Sequence, residues 1–199
     1  MEVTEFRKII LQEKFDDVLT KVLLSGDAKH VNQEKQDFIK TRVAEKYKVN
    51  PEDMRLVIVG SAKLGFSISE KKVKGSATLP RYRPFNAITD IDIAIVSPHI
   101  YEQIWDELSR FSFNQSWFPW DSGKLGDYMV CGWLRPDYFP TETRLRKCDD
   151  WWDTFRLFSS EQKLGRRRVR GGLFYNFEHL KRYQAKSLID CIQSEKNIE

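Results

Sequence analysis

The sequence contains few of the residues that hold small disulfide-rich or zinc-binding proteins together. Only three of its 199 residues are cysteines, and none lies in a Cys-x-x-Cys spacing. An odd number of cysteines without that spacing argues against a disulfide framework and against a cysteine-based zinc site. The three histidines are isolated from one another, which argues against a histidine-rich metal cluster. We therefore predict neither disulfide bonds nor metal binding for these six residues, which are Cys131, Cys148, Cys191, His30, His99 and His179.

Long apolar runs are also missing. The first fourteen residues carry several charges and lack the apolar stretch of a signal peptide. No run elsewhere approaches the roughly 20 apolar residues that span a membrane. We expect a cytoplasmic protein without membrane insertion.

An excess of charge of one sign is nearly absent. The 33 Lys and Arg residues outnumber the 29 Asp and Glu residues only slightly, giving a net charge of +4. This balance permits an anionic partner without requiring one. Hydrophobic residues make up 41% and aromatic residues 13% of the chain, enough for a sizeable core. The length predicts a single domain over residues 1–199.

The chain divides into a helical start and a later part with strands. Residues 1–48 have apolar positions at helical spacing, with a helix end at Ser25-Gly26 and a second helix over Asn32–Tyr47. Short β-branched runs predict strands at Met54–Val59 and Asp90–Val96. Ser97-Pro98 is typical of a helix start.

The remaining segments give weaker signals. Residues 68–88 are polar and predict an exposed loop. Further strands are predicted at Tyr128–Leu134 and Arg168–Phe174, and Asn176 is a predicted cap of the last helix. Together these elements predict an α/β fold, a mixed β-sheet flanked by helices. Aromatic residues between these segments suggest core or lid packing, with base stacking as the alternative; they are Phe111, Phe113, Trp117, Phe118 and Trp120.

Two acidic residues lie at the start of the second strand. Asp90 and Asp92 are two positions apart, so both side chains project from the same face, about 6–7 Å apart along the strand. Two adjacent carboxylates repel each other without a cation, and hard divalent cations prefer oxygen ligands. The pair therefore predicts a metal site; the alternative is a solvated strand edge.

The first strand ends at Gly60-Ser61. Glycine allows backbone to approach a phosphate closely, and serine offers a hydroxyl group and an N–H group. This pattern favours phosphate binding over an ordinary turn. Lys63 is a further candidate nucleotide ligand, with a solvated turn residue as the alternative.

These motifs resemble the nucleotidyltransferase superfamily typified by DNA polymerase beta. Its members have an apolar strand, a Gly-Ser turn and an Asp-x-Asp on the next strand, matched here over residues 56–61 and 89–95. The portion from Gly60 to Gly65 is most similar to bacterial anti-phage nucleotidyltransferases related to cyclic oligonucleotide synthases. The similarity covers roughly residues 50–110.

The resemblance implies transfer of a nucleotide from an NTP or dNTP, with pyrophosphate as the leaving group. Asp90 and Asp92 would hold Mg²⁺ or Mn²⁺ ions, and Gly60, Ser61 and Lys63 would bind the nucleotide. The acceptor would be a nucleotide, an oligonucleotide, RNA or a protein. An antiviral defence or toxin–antitoxin setting, with a cognate effector or antitoxin as partner, is part of the same expectation.

Active members of the family normally carry a third carboxylate on a later strand. Asp127 and Asp137 are the candidates in this sequence. An acid near Asp90 and Asp92 would favour an enzyme. An arginine or an apolar residue there would favour a catalytically inactive module that binds nucleotide, nucleic acid or a partner protein. A third alternative is a nucleic-acid-binding protein that uses the basic loop and the run Arg166–Arg170.

Overall fold

The computed structural model describes residues 1–73, 77–113, 119–140 and 143–197. An all-helical start is followed by a part that contains both strands and helices. The helices are α1 (Val3–Gln12), α2 (Phe15–Asp17, continued by a π-helical turn over Val18–Leu23), α3 (Gln33–Tyr47), α4 (Ser61–Leu64), α5 (Pro98–Phe113), α6 (Ser122–Val130), α7 (Arg146–Ser160) and α8 (Phe177–Lys196). The strands are β1 (Arg55–Val59), β2 (Lys71–Lys72), β3 (Thr78–Leu79), β4 (Ile91–Val96), β5 (Trp133–Leu134) and β6 (Val169–Phe174).

The main sheet has four strands in the order β1-β4-β6-β5. β1 runs antiparallel to β4, β4 runs parallel to β6, and β5 runs antiparallel to β6. This mixed sheet between helices confirms the predicted α/β fold class. The three longer strands agree closely with the strands predicted around residues 54–59, 90–96 and 168–174.

Both faces of the sheet are covered, because alternate residues of each strand point to opposite sides. Ile58, Ile93 and Leu173 belong to one buried cluster, with apolar residues of α3, α5 and α7. Val57, Ala94 and Phe174 belong to a second cluster, with apolar residues of α1, the π-helical turn and α8. The strands are therefore buried on both sides, which explains their nearly continuous apolar sequence.

Side-chain caps explain where several helices begin. The Asn32 side chain accepts a hydrogen bond from the Lys35 backbone N–H, and the Asn176 side chain accepts one from His179. Each satisfies an N–H group that has no partner inside the helix. The predicted cap at Asn176 is confirmed. The first predicted helix is interrupted, since Glu13 and Lys14 have extended backbone, and its end near Gly26 is as expected.

The strand predicted at Tyr128–Leu134 is wrong over most of its length. Residues 122–130 form α6, whose first turn is capped by the Asp121 side chain, and only Trp133–Leu134 pair with β6. Leu125 and Met129 pack against the core one helical turn apart. The poor helix formers Gly123 and Gly126 hid this periodicity in the sequence.

The polar segment 68–88 is only partly the loop that was expected. It contains a short antiparallel pair of strands, β2 and β3, and residues 74–76 lie outside the described residues. Of the aromatic residues near 111–120, Phe111 and Trp120 pack against the core. Trp117 and Phe118 lie outside the described residues. Within the part of the chain that the structure describes, no helix is both long and apolar enough to cross a membrane.

Candidate functional site

The sheet brings three strand ends together at one edge. β1 ends at Val59, whereas β4 begins at Ile91 and β6 begins at Val169. Because β1 is antiparallel and β6 is parallel to β4, the end of β1 and the starts of β4 and β6 meet. This topology collects the Gly60 turn, the two aspartates and the arginine run, which are far apart in the sequence.

Gly60 makes the turn that leaves β1. Its backbone angles are φ +65° and ψ −146°, a combination that side-chain-bearing residues rarely adopt. A Cβ atom added to this residue would lie 3.5 Å from Oδ2 of Asp92, so the turn backbone passes close to that carboxylate. Ser61 is the first residue of α4, and its carbonyl oxygen accepts a hydrogen bond from Gly65. The geometry thus brings Gly60 to the aspartates, while Ser61 does not line the cleft described below.

Asp92 lies in the middle of this edge. It is in register with Val59 on one side and with Arg170 on the other. Among the described residues its carboxylate has no hydrogen bond and no ion pair. The pKa of Asp92 is raised, first by burial and second by the charge of Asp90, while Arg170 acts in the opposite direction. Asp92 is therefore a partly buried carboxylate whose charge is not fully compensated.

Asp90, the residue directly before β4, has a charged partner. Its Oδ2 atom lies 2.8 Å from Nε of Arg170, with the two side chains 28% and 38% exposed. The contact is an ion pair without good hydrogen-bond direction, since the buried Arg170 Nε has no hydrogen-bond partner. Arg170 thus compensates Asp90 and borders Asp92.

A cleft of about 260 Å³ opens over Asp92. Gly60, Asp92 and Arg170 contribute to its lining together with Arg135 from the segment after β5. Trp133 and Tyr183 form an aromatic wall, with ring centroids 4.8 Å apart. The cleft combines carboxylate, guanidinium and aromatic groups, a mixture that suits a ligand with phosphate and ring portions.

Neither candidate for a third carboxylate lines the cleft. Asp137 accepts two hydrogen bonds from Arg135, at 2.8 and 2.5 Å, and so holds that guanidinium in place. Asp127 is an exposed residue of α6 and does not line the cleft. No group of three or more His, Cys, Asp or Glu residues suited to a metal occurs among residues 1–73, 77–113, 119–140 and 143–197.

Lys63 is buried, and its ammonium group already has partners. It donates hydrogen bonds to the backbone carbonyl oxygens of Ser25, Gly26 and Asp27, at 2.5, 2.6 and 3.0 Å. Burial lowers its pKa. The residue borders the cleft, but these three contacts indicate that it joins α4 to the end of the first helical segment.

Sequence reasoning did not identify several residues of the cleft. Arg135, Trp133 and Tyr183 carry no motif, and nothing in the sequence places them near Asp92. Arg170 was noted only as part of a basic run. Side-chain alternation predicts that Arg170 and Arg167 lie on opposite faces of a strand. The position of Arg170 opposite Asp92 depends instead on which strands pair.

The side chains present fit a divalent cation in part. Asp90 and Asp92 offer hard oxygen ligands on one face, and the uncompensated charge of Asp92 favours a cation. The Arg170 guanidinium beside Asp90 would have to move for both carboxylates to bind one ion. No protein-family model, curated protein or solved structure matches this chain.

Proposed function

We propose that the chain is a Mg²⁺-dependent nucleotidyltransferase whose cleft binds the donor NTP or dNTP. The observation that carries this proposal is the Asp92 carboxylate. It is partly buried, lacks a partner among the described residues and lies against the Gly60 turn with Asp90 beside it. A partly buried carboxylate with incomplete compensation of its charge is unfavourable, and a bound Mg²⁺ ion would supply further positive charge.

The charged residues at the cleft and the Gly60 turn have separate roles in this proposal. Asp92 and Asp90 would hold Mg²⁺, which would offset negative charge on the phosphates. The Gly60 turn leaves room for phosphate oxygens near the backbone. Arg170 and Arg135 donate to phosphate oxygens, for which a planar guanidinium group is well suited. A hydroxyl group of the acceptor attacks the α-phosphorus and gives up its proton to water. The bond between the α-phosphorus and the oxygen bridging to the β-phosphorus breaks, and pyrophosphate leaves.

Incubation with labelled nucleotides tests the proposal. The purified protein is mixed with each labelled NTP and dNTP in Mg²⁺ or Mn²⁺, with cell extract as a source of acceptors, and pyrophosphate release is measured in parallel. We expect a labelled product and pyrophosphate from the wild type and neither from Asp92→Asn. Asp53→Asn, which changes an exposed carboxylate in the turn before β1, is the matched control and should retain activity. Product formation by Asp92→Asn would contradict the assigned role of this residue.

A specific observation favours a second candidate, a catalytically inactive module that binds nucleotide. Arg170 lies beside Asp92 on the neighbouring strand, and no acid of the described chain completes a three-carboxylate site. Such a module would bind a nucleoside triphosphate without catalysing its reaction. Equilibrium binding of a non-hydrolysable nucleotide separates the two: binding that needs Arg170 and Asp92, without pyrophosphate release under any condition, would favour this alternative.

A further inference from the structure

Three distant segments build an aromatic contact beside the candidate site. The Phe85 ring stacks on His30 with centroids 4.3 Å apart and planes 23° apart. The Arg167 guanidinium carbon lies 4.7 Å from the centre of the same ring, and its Nη1 donates to the Asn86 carbonyl oxygen at 2.9 Å. The three side chains hold each other in place, since stacking and the hydrogen bond fix the arginine.

Arg167 belongs to a run of three consecutive arginines. Arg166 and Arg168 are exposed on either side of Arg167, and no ion pair engages any of the three within the described part of the chain. The pKa of His30 is lowered by burial and then by Lys29, Arg167 and Lys35, with no acidic residue acting in the other direction. We call His30, Phe85 and Arg166–Arg168 the basic–aromatic surface.

Backbone contacts place this surface next to the proposed metal site. The His30 N–H donates to the carbonyl oxygen of Ala62 in α4, directly after the Gly60-Ser61 turn. The Phe85 N–H donates to the carbonyl oxygen of Gly65 at the other end of α4. The Arg168 carbonyl accepts from Ile91, between the two aspartates. The backbone of the basic–aromatic surface therefore lies against α4 and the start of β4, two elements that also contribute residues to the cleft.

We propose that the basic–aromatic surface binds single-stranded nucleic acid, the acceptor whose end reaches the cleft. Arginines contact the phosphates, and exposed His30 continues the stack on which an unpaired base can lie. A duplex keeps its bases stacked on each other and cannot use the rings in this way. The binding is independent of catalysis, whereas the acceptor role rests on the proposed nucleotidyl transfer.

Fluorescence anisotropy with labelled 15-nucleotide single strands of RNA and DNA, and with the corresponding duplexes, tests this inference at several salt concentrations. We expect single strands to bind more tightly than duplexes and binding to weaken as salt rises. His30→Ala should weaken binding roughly tenfold, the loss typical of one base–aromatic stack. Arg167→Ala should weaken binding and reduce the salt dependence by about one phosphate contact. Arg110→Ala on α5, outside the surface, is the control and should bind like the wild type.

His30 is exposed, so its substitution should leave the fold intact. Phe85→Leu changes a partly buried residue and is a second test of single-strand binding, which should also weaken once circular dichroism confirms that the variant is folded. Equal binding of His30→Ala and the wild type, or equal binding of duplex and single strand, would overturn the inference. If the wild type transfers no nucleotide but Asp92→Asn still binds the oligonucleotide, the proposed function is rejected and the binding surface is not. Transfer by the wild type without oligonucleotide binding would reject the surface alone.

Discussion

Asp92 and Lys63 face the same cleft, and their surroundings give them different roles. The Asp92 carboxylate has no partner among the described residues and a raised pKa. The Lys63 ammonium donates to three carbonyl groups and is only 7% exposed. The first arrangement leaves a charge available for a ligand, and the second uses the charge to join two segments. Substitution of each residue should therefore change different properties.

Asp92→Asn should stabilise the protein without metal and remove its response to metal. Because the folded-state pKa of this carboxyl group is raised, its ionised form destabilises the folded state at neutral pH, and the amide removes that cost. Added Mg²⁺ should raise the melting temperature of the wild type, by roughly 2–4 °C for each kcal/mol of binding, and leave the variant unchanged. Differential scanning fluorimetry with and without Mg²⁺ measures both effects. A Mg²⁺ shift that Asp92→Asn retains would place the ion elsewhere; Asp53→Asn should behave like the wild type.

Lys63→Met should destabilise the fold by about 3 kcal/mol, because three carbonyl groups lose a charged donor in a buried place. Urea unfolding followed by circular dichroism gives the free energy of unfolding. Lys72→Met, at an exposed position of β2, is the matched control and should change it by less than about 0.5 kcal/mol. If Lys63→Met folds with wild-type stability but loses nucleotide affinity, the role in nucleotide binding expected from the sequence is the correct one.

At the scale of the elements, α7 approaches β6 so closely that the strand has no room for a side chain at the contact. A Cβ atom at Gly171 would lie 2.2 Å from Cζ of Phe155 on α7. The neighbouring Gly172 faces the other side of the sheet, where Trp133 is 3.1 Å from the corresponding position. The two glycines allow layers of large aromatic residues on both sides of one strand. β6 is thereby held in the register that brings Arg170 to Asp92.

Gly171→Ala should cost about 1–3 kcal/mol, because the added methyl group displaces the Phe155 ring from a packed core. Gly126→Ala on α6 is a control with the opposite sign. Nothing lies within 4 Å of its Cβ position, so the better helix former should stabilise by about 0.5–1 kcal/mol. Thermal unfolding of both variants measures the difference. Equal effects of the two substitutions would show that helix α7 can move away from β6 freely.

At the scale of the whole molecule, one buried carboxylate ties together three remote parts of the chain. Glu195 of α8 is 2% exposed, and its Oε2 lies 2.5 Å from Nε of Arg7 in α1. Its Oε1 accepts a hydrogen bond from the Tyr82 hydroxyl at 2.7 Å, which anchors the long segment after α4. The N-terminal helix, the polar segment and the last helix are thus joined on the face of the sheet that holds Asp92.

Tyr82→Phe should destabilise the protein by about 2 kcal/mol, since a buried carboxylate loses a hydrogen bond. The substitution should also speed proteolysis within residues 68–88. Circular dichroism would not detect such a local loosening of the segment. Tyr175→Phe removes a hydroxyl group that donates to exposed Glu102 and should change stability by less than about 0.5 kcal/mol. Limited proteolysis and urea unfolding of both variants test the anchor. An unchanged cleavage rate in Tyr82→Phe would mean that other contacts hold the segment.

Much of this architecture could be predicted from the sequence because it depends on neighbours along the chain. The β-branched runs at 54–59 and 90–96 predicted the strands β1 and β4, and Asn32 and Asn176 lie at helix starts, which they stabilise through local hydrogen bonds. The spacing of Asp90 and Asp92 predicted that both side chains project from one face. By contrast, α6 was missed because its two glycines weaken a helical pattern that packing against the core restores.

The sequence by itself determined the α/β class, the three longer strands and the aspartate pair, since alternation and capping are properties of consecutive residues. Only the tertiary structure decided that Arg170 lies beside Asp92, that Lys63 joins α4 to the carbonyls of 25–27, and that His30, Phe85 and Arg167 meet. Those contacts join segments that are remote from one another in the sequence. The geometry of these contacts is set by strand pairing and by burial of both sheet faces. Neither can be predicted from a local sequence pattern.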